Sequence, residues 1–406
     1  MKIAVVHPHF RTRAGAENVV LWLCEDLATK YGLTVTVFSL DFGEYEKRFR
    51  DIQGLALEKI SVPRLFQRLN ILTWLSAVIF LKHNLKDFDV INPHNYPASL
   101  WVGMANILSG KSLPKVIWSC NEPAKFLYKT ICYRNTPDNL QVSFSELDEQ
   151  LRIKLSSRIK FALKNLYKPI LGSLDRKAVR TFYKVLPISE TCRQQVKAIY
   201  RVDNAFTCDL GIKGFTISAR SEADKKEGNY FLTVSRLEGY KNIPQAVEAF
   251  ALLKRQKKLV GIQYYIIGCG PMEGYLKKLI AHHQLTEDVK LLGFVTKEQL
   301  IDCYKHCLFI VHLPFDETYG LAYLEAAAFS KPAIASDHAG PAEIVIDGQT
   351  GFLADPSNRD EIAEKIELMC VSVDARKKMG ENAFIRLKQK FLWEGYVERF
   401  VGHLTM

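Results

Sequence analysis

Short apolar runs rich in Val, Ile and Phe alternate with helical patterns along this chain, and the whole rhythm is played twice. The first half carries KIAVVHP, LTVTVFSL, FDVINPH, PKVIWSCN and YKVLPIS; the second carries YFLTVSRL, VGIQYYIIGCG, DVKLLGFV, CLFIVHLP, KPAIASD and GFLAD. Strands that are apolar throughout are buried on both faces, and strands separated by helices pair in parallel through crossovers. The pattern therefore predicts an α/β chain of two Rossmann-like, doubly wound domains. The polar stretch SEADKKEGN, Ser221 to Asn229, marks the break between the two series. We expect an N-terminal domain over 1–210, a C-terminal domain over 211–385, and a helix over 386–406 returning to the first domain. Ligands of open α/β sheets bind beyond the carboxyl ends of the strands, so two such domains facing across a cleft would line it with their strand-end loops.

At 406 residues the chain is too long for one small module, and 48% hydrophobic with 24% charged residues excludes disordered and collagenous classes. The apolar run Met1 to Phe10 is too short for a signal peptide, and Ile71 to Leu81 is too short to cross a bilayer, which needs about 20 such residues. The expectation is a cytoplasmic protein. Nine cysteines without paired spacing read as reduced thiols. Cys303, His306, Cys307 and His312 cluster, but a buried Cys pair is the expected reading. Asp87-Phe88-Asp89 is a formal D-x-D that opens a strand, so no metal site is expected. The net charge of +11 falls entirely within residues 1–210, which hold 30 Lys and Arg against 19 Asp and Glu. Arg152 to Lys184 alone holds ten basic residues and one acid, Asp175. Such a segment suits an anionic membrane surface or a phosphate-bearing acceptor, or is simply a solvated helix face. Nucleic acid is not expected, because recognisable motifs and clustered aromatics are missing.

Two motifs carry chemistry. After the first strand, Ala14-Gly15-Ala16 precedes a helical pattern of Val19, Val20, Leu23, Cys24 and Leu27, an arrangement whose free N–H groups suit an anion. The stronger one is FDETYGLAYLEAAAFSKPAIASDHAGPAEIVIDGQTGFLADP, in which Glu317 and Glu325 have seven residues between them. Eight helical steps put their backbones about 12 Å apart. Paired carboxylates of glycoside hydrolases stand about 5 to 9.5 Å apart, so this pair suits opposite ends of an extended ligand such as a nucleotide sugar.

These residues resemble the retaining glycosyltransferases of family 4, which have the GT-B fold. The E-x7-E motif matches at Glu317 and Glu325, GPAEIV and TGFL match between Gly340 and Leu353, and VSRLEGYKN places Arg236 and Lys241 where the family binds phosphate. IIGCGP, LLGFV, the GAE turn and KVLPISE are also similar, in the right order and over nearly the whole chain. The resemblance implies a hexosyltransferase-type enzyme (EC 2.4 class) that moves a sugar from a GDP- or UDP-linked donor to a glycan or lipid-linked acceptor, with retention and without a metal or other cofactor. It implies that Glu317 holds sugar hydroxyls at the reacting centre, that Arg236 and Lys241 stabilise the leaving diphosphate, and that Glu325 accepts from the ribose. Gly15, Tyr319, Gly320 and Leu321 complete the donor site so implied. One departure is Asn121, which stands where many members have a histidine; Asn orients hydroxyls but exchanges no proton near neutrality. The implied setting is envelope polysaccharide assembly, in the cytoplasm or peripheral at the inner face of the membrane. The rival reading is a non-catalytic nucleotide-sugar-binding protein of the same fold.

Overall fold

The computed structural model describes residues 1–11, 15–63, 70–128, 157–213 and 227–405. Within these the chain divides into two compact units, one holding 1–128, 157–209 and 396–405, the other 210–213 and 227–395. The first five basic-segment residues, 152–156, and most of the polar break, 221–226, lie outside the described residues.

The first unit is built from strands β1 (Lys2–Val6), β2 (Thr34–Ser39), β3 (Leu55–Lys59), β4 (Val90–Pro93), β5 (Lys115–Cys120) and β6 (Lys184–Pro187). Its helices are α1 (Gly15–Thr29), α2 (Tyr45–Arg50), α3 (Asn70–Asn84), α4 (Ala98–Leu108), α5 (Ser157–Val179) and α6 (Glu190–Tyr200). The second unit has β7 (Tyr230–Val234), β8 (Gln263–Ile267), β9 (Val289–Gly293), β10 (Ile310–His312), β11 (Ala333–Ser336) and β12 (Gly351–Ala354). Between and after them run α7 (Ile243–Arg255), α8 (Glu273–His282), α9 (Lys297–His306), α10 (Leu321–Ala328), α11 (Ala339–Ile344), α12 (Arg359–Val371) and α13 (Val373–Lys390). The last helix, α14 (Trp393–Thr405), starts in the second unit and from Tyr396 onward belongs to the first.

Both sheets are six-stranded and parallel, ordered β3-β2-β1-β4-β5-β6 and β12-β11-β10-β7-β8-β9. Counted from the first strand of each, the order is the same doubly wound one, with its reversal between β1 and β4 in one sheet and between β7 and β10 in the other. Two parallel Rossmann-like domains of this kind constitute the GT-B fold. Each of the eleven strand-like runs of the sequence became a strand, while the longer apolar run Ile71 to Leu81 became α3. The strand without such a run is β3, LALEK, an edge strand paired only to β2 and exposed along one side, so it lacks the doubly buried signature.

Local sequence explains the helices that matter. In α1 the apolar residues Val19, Val20, Leu23, Cys24 and Leu27 are all buried, as their spacing requires. In α9 the hydroxyl of Thr296 accepts from the Gln299 N–H while the Gln299 side chain accepts from the Thr296 N–H, a reciprocal cap that satisfies two otherwise orphaned donors. In the second unit Phe231 of β7 stacks on Tyr264 of β8 and Phe309 beside β10, with ring centroids 4.4 and 5.3 Å apart. That stack ties β7, β8 and β10 together, and the ends of β7 and β10 carry the site.

The basic segment is partly structural. On α5, Lys168 is buried, Arg176 lies over the Tyr128 ring and donates to the Ile199 carbonyl, and just after the helix Arg180 donates to the Tyr200 carbonyl. Among the described residues no helix is long and apolar enough to cross a membrane.

Candidate active site

The reversal in strand order lies at the carboxyl ends of β7 and β10, where ligands of such sheets bind, and three titratable groups of the second unit meet there. Past β7, Arg236 enters the loop and a short 3-10 turn, Gly239–Lys241, follows; Asn242 then takes a left-handed conformation and its side-chain amide donates to the Pro356 carbonyl. Past β10, Phe315 donates its N–H to the Tyr240 carbonyl, tying the two strand-end loops together. The result is a direct ion pair between the Lys241 ammonium and the Glu317 carboxylate, 12% and 19% exposed. His312, the last residue of β10, brings its Nε2 to 3.6 Å from the same carboxylate.

The three groups set one another's charge. Burial alone would raise the Glu317 pKa, but Lys241 and His312 outweigh it and hold the group well below the usual carboxylate range. Burial likewise pulls Lys241 down, and Glu317 more than restores it. Burial lowers His312, leaving it neutral. At neutral pH the site thus holds a cation, a carboxylate and a neutral imidazole. Arg236 is 62% exposed; its guanidinium donates to the Tyr240 hydroxyl at 2.8 Å and stands outside the pair.

Gly320 caps α10 with φ at 109°, a conformation suited to glycine, and a Cβ there would meet the Tyr323 ring at 2.4 Å. Tyr323 in turn donates its hydroxyl to the His312 carbonyl at 2.7 Å, joining the helix start to β10. Tyr319 is buried and donates to the Leu210 carbonyl, so its hydroxyl holds structure while its backbone borders the site. Leu321 is half-buried. Gly340 explains the GPAEIV motif: its N–H bonds the Glu317 carbonyl at 3.0 Å, and a Cβ would strike the backbone of Thr318 and Tyr319 at 2.5 Å. Glu325, on the first turns of α10, is half-buried and accepts from the Tyr304 hydroxyl at 2.7 Å. Burial raises its pKa and the Tyr304 bond opposes that rise. Among the described residues the two glutamates share no hydrogen-bond or ion-pair partner.

Sequence reasoning missed His312 as a neighbour of Glu317, Tyr304 as the partner of Glu325, and Tyr240. His312 had a usable signal, since it stands near the end of the apolar run CLFIVHLP, just upstream of Glu317; Tyr304 had none. Of the Cys303, His306, Cys307 and His312 group, Cys307 is buried and Cys303 half-buried, His306 pairs with Asp302 at the surface, and His312 lies against Glu317. Asp89 accepts from the Lys2 backbone N–H, and Asp87 is exposed. Among the described residues no three His, Cys, Asp or Glu side chains converge as a metal site.

A second polar cluster occupies the corresponding reversal in the first unit, at the ends of β1, β4 and β5. Asn95, with φ at 58°, bridges it: its amide nitrogen lies 3.2 Å from His7 Nε2 and its oxygen accepts from Asn121 at 3.1 Å. These bonds assign the His7 proton to Nδ1. His94 Nε2 bonds the Asn92 oxygen at 2.7 Å, and Asn92 donates to Ser119 Oγ at 3.0 Å. Burial pushes His94 down to about 3 and lowers His7 as well, so both rings are neutral. The buried atoms His7 Nδ1, His94 Nδ1 and Asn121 Oδ1 have no partner among the described residues. Glu122 is exposed and paired with Lys125 at 2.7 Å. Gly15 opens α1 at the surface.

Residues 215–386 match the family described as glycosyl transferases group 1. An uncharacterised glycosyltransferase of Methanocaldococcus jannaschii is 31% identical over 137 residues, which is 34% of this chain and 38% of that protein. The alpha-1,3/1,6-mannosyltransferase of Dictyostelium discoideum is 28% identical over 190 residues, 43% of this chain and 44% of its own length. The matches to these curated relatives thus span less than half of each. Over the full length, the crystal structure of HepE from Anabaena, in complex with UDP-glucose, superposes with a TM-score of 0.72 at 16% identity, covering 100% of this chain and 99% of that one. That likeness is one of fold.

Proposed function

We propose that this chain transfers a hexosyl group from a nucleoside-diphosphate sugar to a glycan or lipid-linked acceptor, with retention of the anomeric configuration, as a member of the family 4 glycosyltransferases. The observation that carries the reading is the Lys241–Glu317 pair beside His312 at the strand reversal of the second unit, inside the segment that matches the glycosyl transferase family. Binding of UDP-glucose by the structurally similar HepE supports a nucleotide-sugar donor.

In this reading the donor's diphosphate lies against Lys241, Arg236 and the N–H groups that open α10 after Gly320. Lys241 has three N–H donors, so it keeps Glu317 and takes a phosphate oxygen together. As the bond between the anomeric carbon and the phosphate oxygen breaks, negative charge grows on the diphosphate where these fixed positive groups are already oriented. The acceptor hydroxyl forms its bond to the anomeric carbon on the face the diphosphate leaves, and its proton passes to the departing phosphate oxygen. Glu317 holds sugar hydroxyls, Glu325 accepts from the ribose with Tyr304 fixing its rotamer, and Asn121 with Asn95 and His7 orients the acceptor side. The protein's cations perform the charge stabilisation that a divalent ion performs elsewhere. The work is assigned to the cytoplasmic face of the membrane, in envelope or surface polysaccharide assembly.

Incubation with UDP-, GDP- and ADP-sugars in the presence of EDTA tests this. The reading requires acceptor-dependent nucleoside diphosphate release that persists under chelation and, by NMR, a product of unchanged anomeric configuration. An inverted product, or release restored only by Mg or Mn, contradicts it.

A further inference from the structure

Helix α3 of the first unit turns an apolar stripe away from the protein. Ile71, Leu75 and Ile79 are 72%, 53% and 54% exposed, while Ala77, Val78 and Leu81 are buried. At 3.6 residues per turn, Ile71, Leu75, Ile79 and Lys82 fall within an arc of about 80°. Scattered exposed apolar residues are ordinary, but three at successive turns of one helix form a surface. The rest of the helix is anchored: Trp74 packs edge-on to Tyr96 with centroids 5.7 Å apart, and Phe80 edge-on to Phe38 at 6.5 Å. The stripe is therefore held outward by a fixed framework.

Charge decides what covers it. The first turn has no acid and the last carries Lys82 and His83. From Asn70 to Asn84 the helix carries no Asp or Glu at all, and Lys86 follows two residues beyond its end. An apolar stripe on an acid-free helix that ends in Lys82 and His83 complements an anionic lipid surface, where apolar side chains enter the acyl boundary and each nearby cation adds roughly fivefold to binding. At 15 residues the helix is about 22 Å long, short of the roughly 30 Å hydrocarbon core, so it lies in the interface and does not cross.

We propose that α3 is a membrane-docking helix that seats the first unit on an anionic bilayer through Ile71, Leu75 and Ile79. This deepens the reading of a lipid-linked acceptor, yet vesicle binding is measured without donor or acceptor, so its failure leaves the donor site standing and the donor site's failure leaves it standing.

The full chain is sedimented with vesicles of phosphatidylglycerol and phosphatidylcholine, and with phosphatidylcholine alone. The unsubstituted protein should bind the anionic vesicles, more weakly as salt rises. The triple variant Ile71→Ser, Leu75→Ser, Ile79→Ser should lose roughly tenfold or more in partitioning with an unchanged unfolding midpoint. Lys82→Glu with Lys86→Glu should lower binding and flatten its salt dependence. Should the triple variant unfold, Leu75→Trp serves instead, and its fluorescence should shift to the blue on adding anionic vesicles. Sedimentation unaffected by the triple variant, fluorescence of the Leu75→Trp variant that does not respond to anionic vesicles, or no binding at low salt overturns the proposal. So does a lipid-free dimer that the triple variant converts to monomer, since the stripe then belongs to a second copy of the chain.

Discussion

Glu317 keeps its charge because Lys241 stands beside it, and that dependence yields the first prediction. A carboxylate with a depressed folded pKa contributes stability above its unfolded value of about 4.3 and loses it only as pH falls through the lower folded value. Lys241, raised by Glu317, contributes below its unfolded value and loses that contribution as pH rises through the folded one. The pair therefore persists through the neutral range. Lys241→Ala leaves a mostly buried carboxylate uncompensated, which should cost about 3 kcal/mol of stability by denaturant titration and give activity a new acid limb as the Glu317 pKa rises. Lys241→Met with Glu317→Gln should cost less stability than Lys241→Ala alone while staying inactive. On the acceptor side, Asn121→Ala and Asn95→Ala should both raise the acceptor KM with donor affinity intact, because one bridges the other to His7. Both members of the Lys241–Glu317 pair were legible in the sequence from their motifs. Their contact was not, since a spacing of 76 residues says nothing of distance until the strand order is known.

Helices α5 and α10 carry predictions of their own. On α5, Asp175 is buried and accepts from the hydroxyls of Tyr128 and Tyr200, both at 2.9 Å and both on Oδ2. Burial raises its pKa to about 6 against the opposing hydroxyl bonds. A raised folded pKa means the stabilising contribution is fully present below the unfolded value near 4 and is lost as pH climbs through about 6. Asp175→Asn should remove that fall, worth at most about 3 kcal/mol, and flatten the midpoint-versus-pH curve between pH 4 and 6. At α10, Gly320→Ala must push the Tyr323 ring or abandon φ near 109°, so it should cost about 1 to 3 kcal/mol and weaken donor binding beyond what stability explains. Calorimetric titration of the folded variant checks this. The strands were legible because buried strands are apolar along their length; β3 escaped because it is an edge strand with Ala56, Glu58 and Lys59 exposed, and so carries no apolar run, unlike the edge strands β6, β9 and β12. The basic segment was misjudged in part, since sequence cannot separate a solvated Arg from Arg176, which packs on Tyr128 and caps a carbonyl.

The whole chain repeats one topology in two units, each with its polar cluster at the same reversal in strand order: His7, Asn95 and Asn121 in the first, Lys241, His312 and Glu317 in the second. The net charge of +11 resides in the first half of the sequence, as an anionic acceptor surface would favour, while the pairing of cation and carboxylate resides in the second. The account rests on the second cluster being a nucleotide-sugar site. Thermal unfolding of the protein and of Lys241→Ala, each with saturating UDP-, GDP- or ADP-sugar, tests that most directly. Ligand at 100 times its dissociation constant adds about 2.7 kcal/mol of stability. The account predicts a raised midpoint with at least one nucleotide sugar, in EDTA as well as without it, and its loss in Lys241→Ala; no shift with any of them, or an equal shift in the variant, contradicts it.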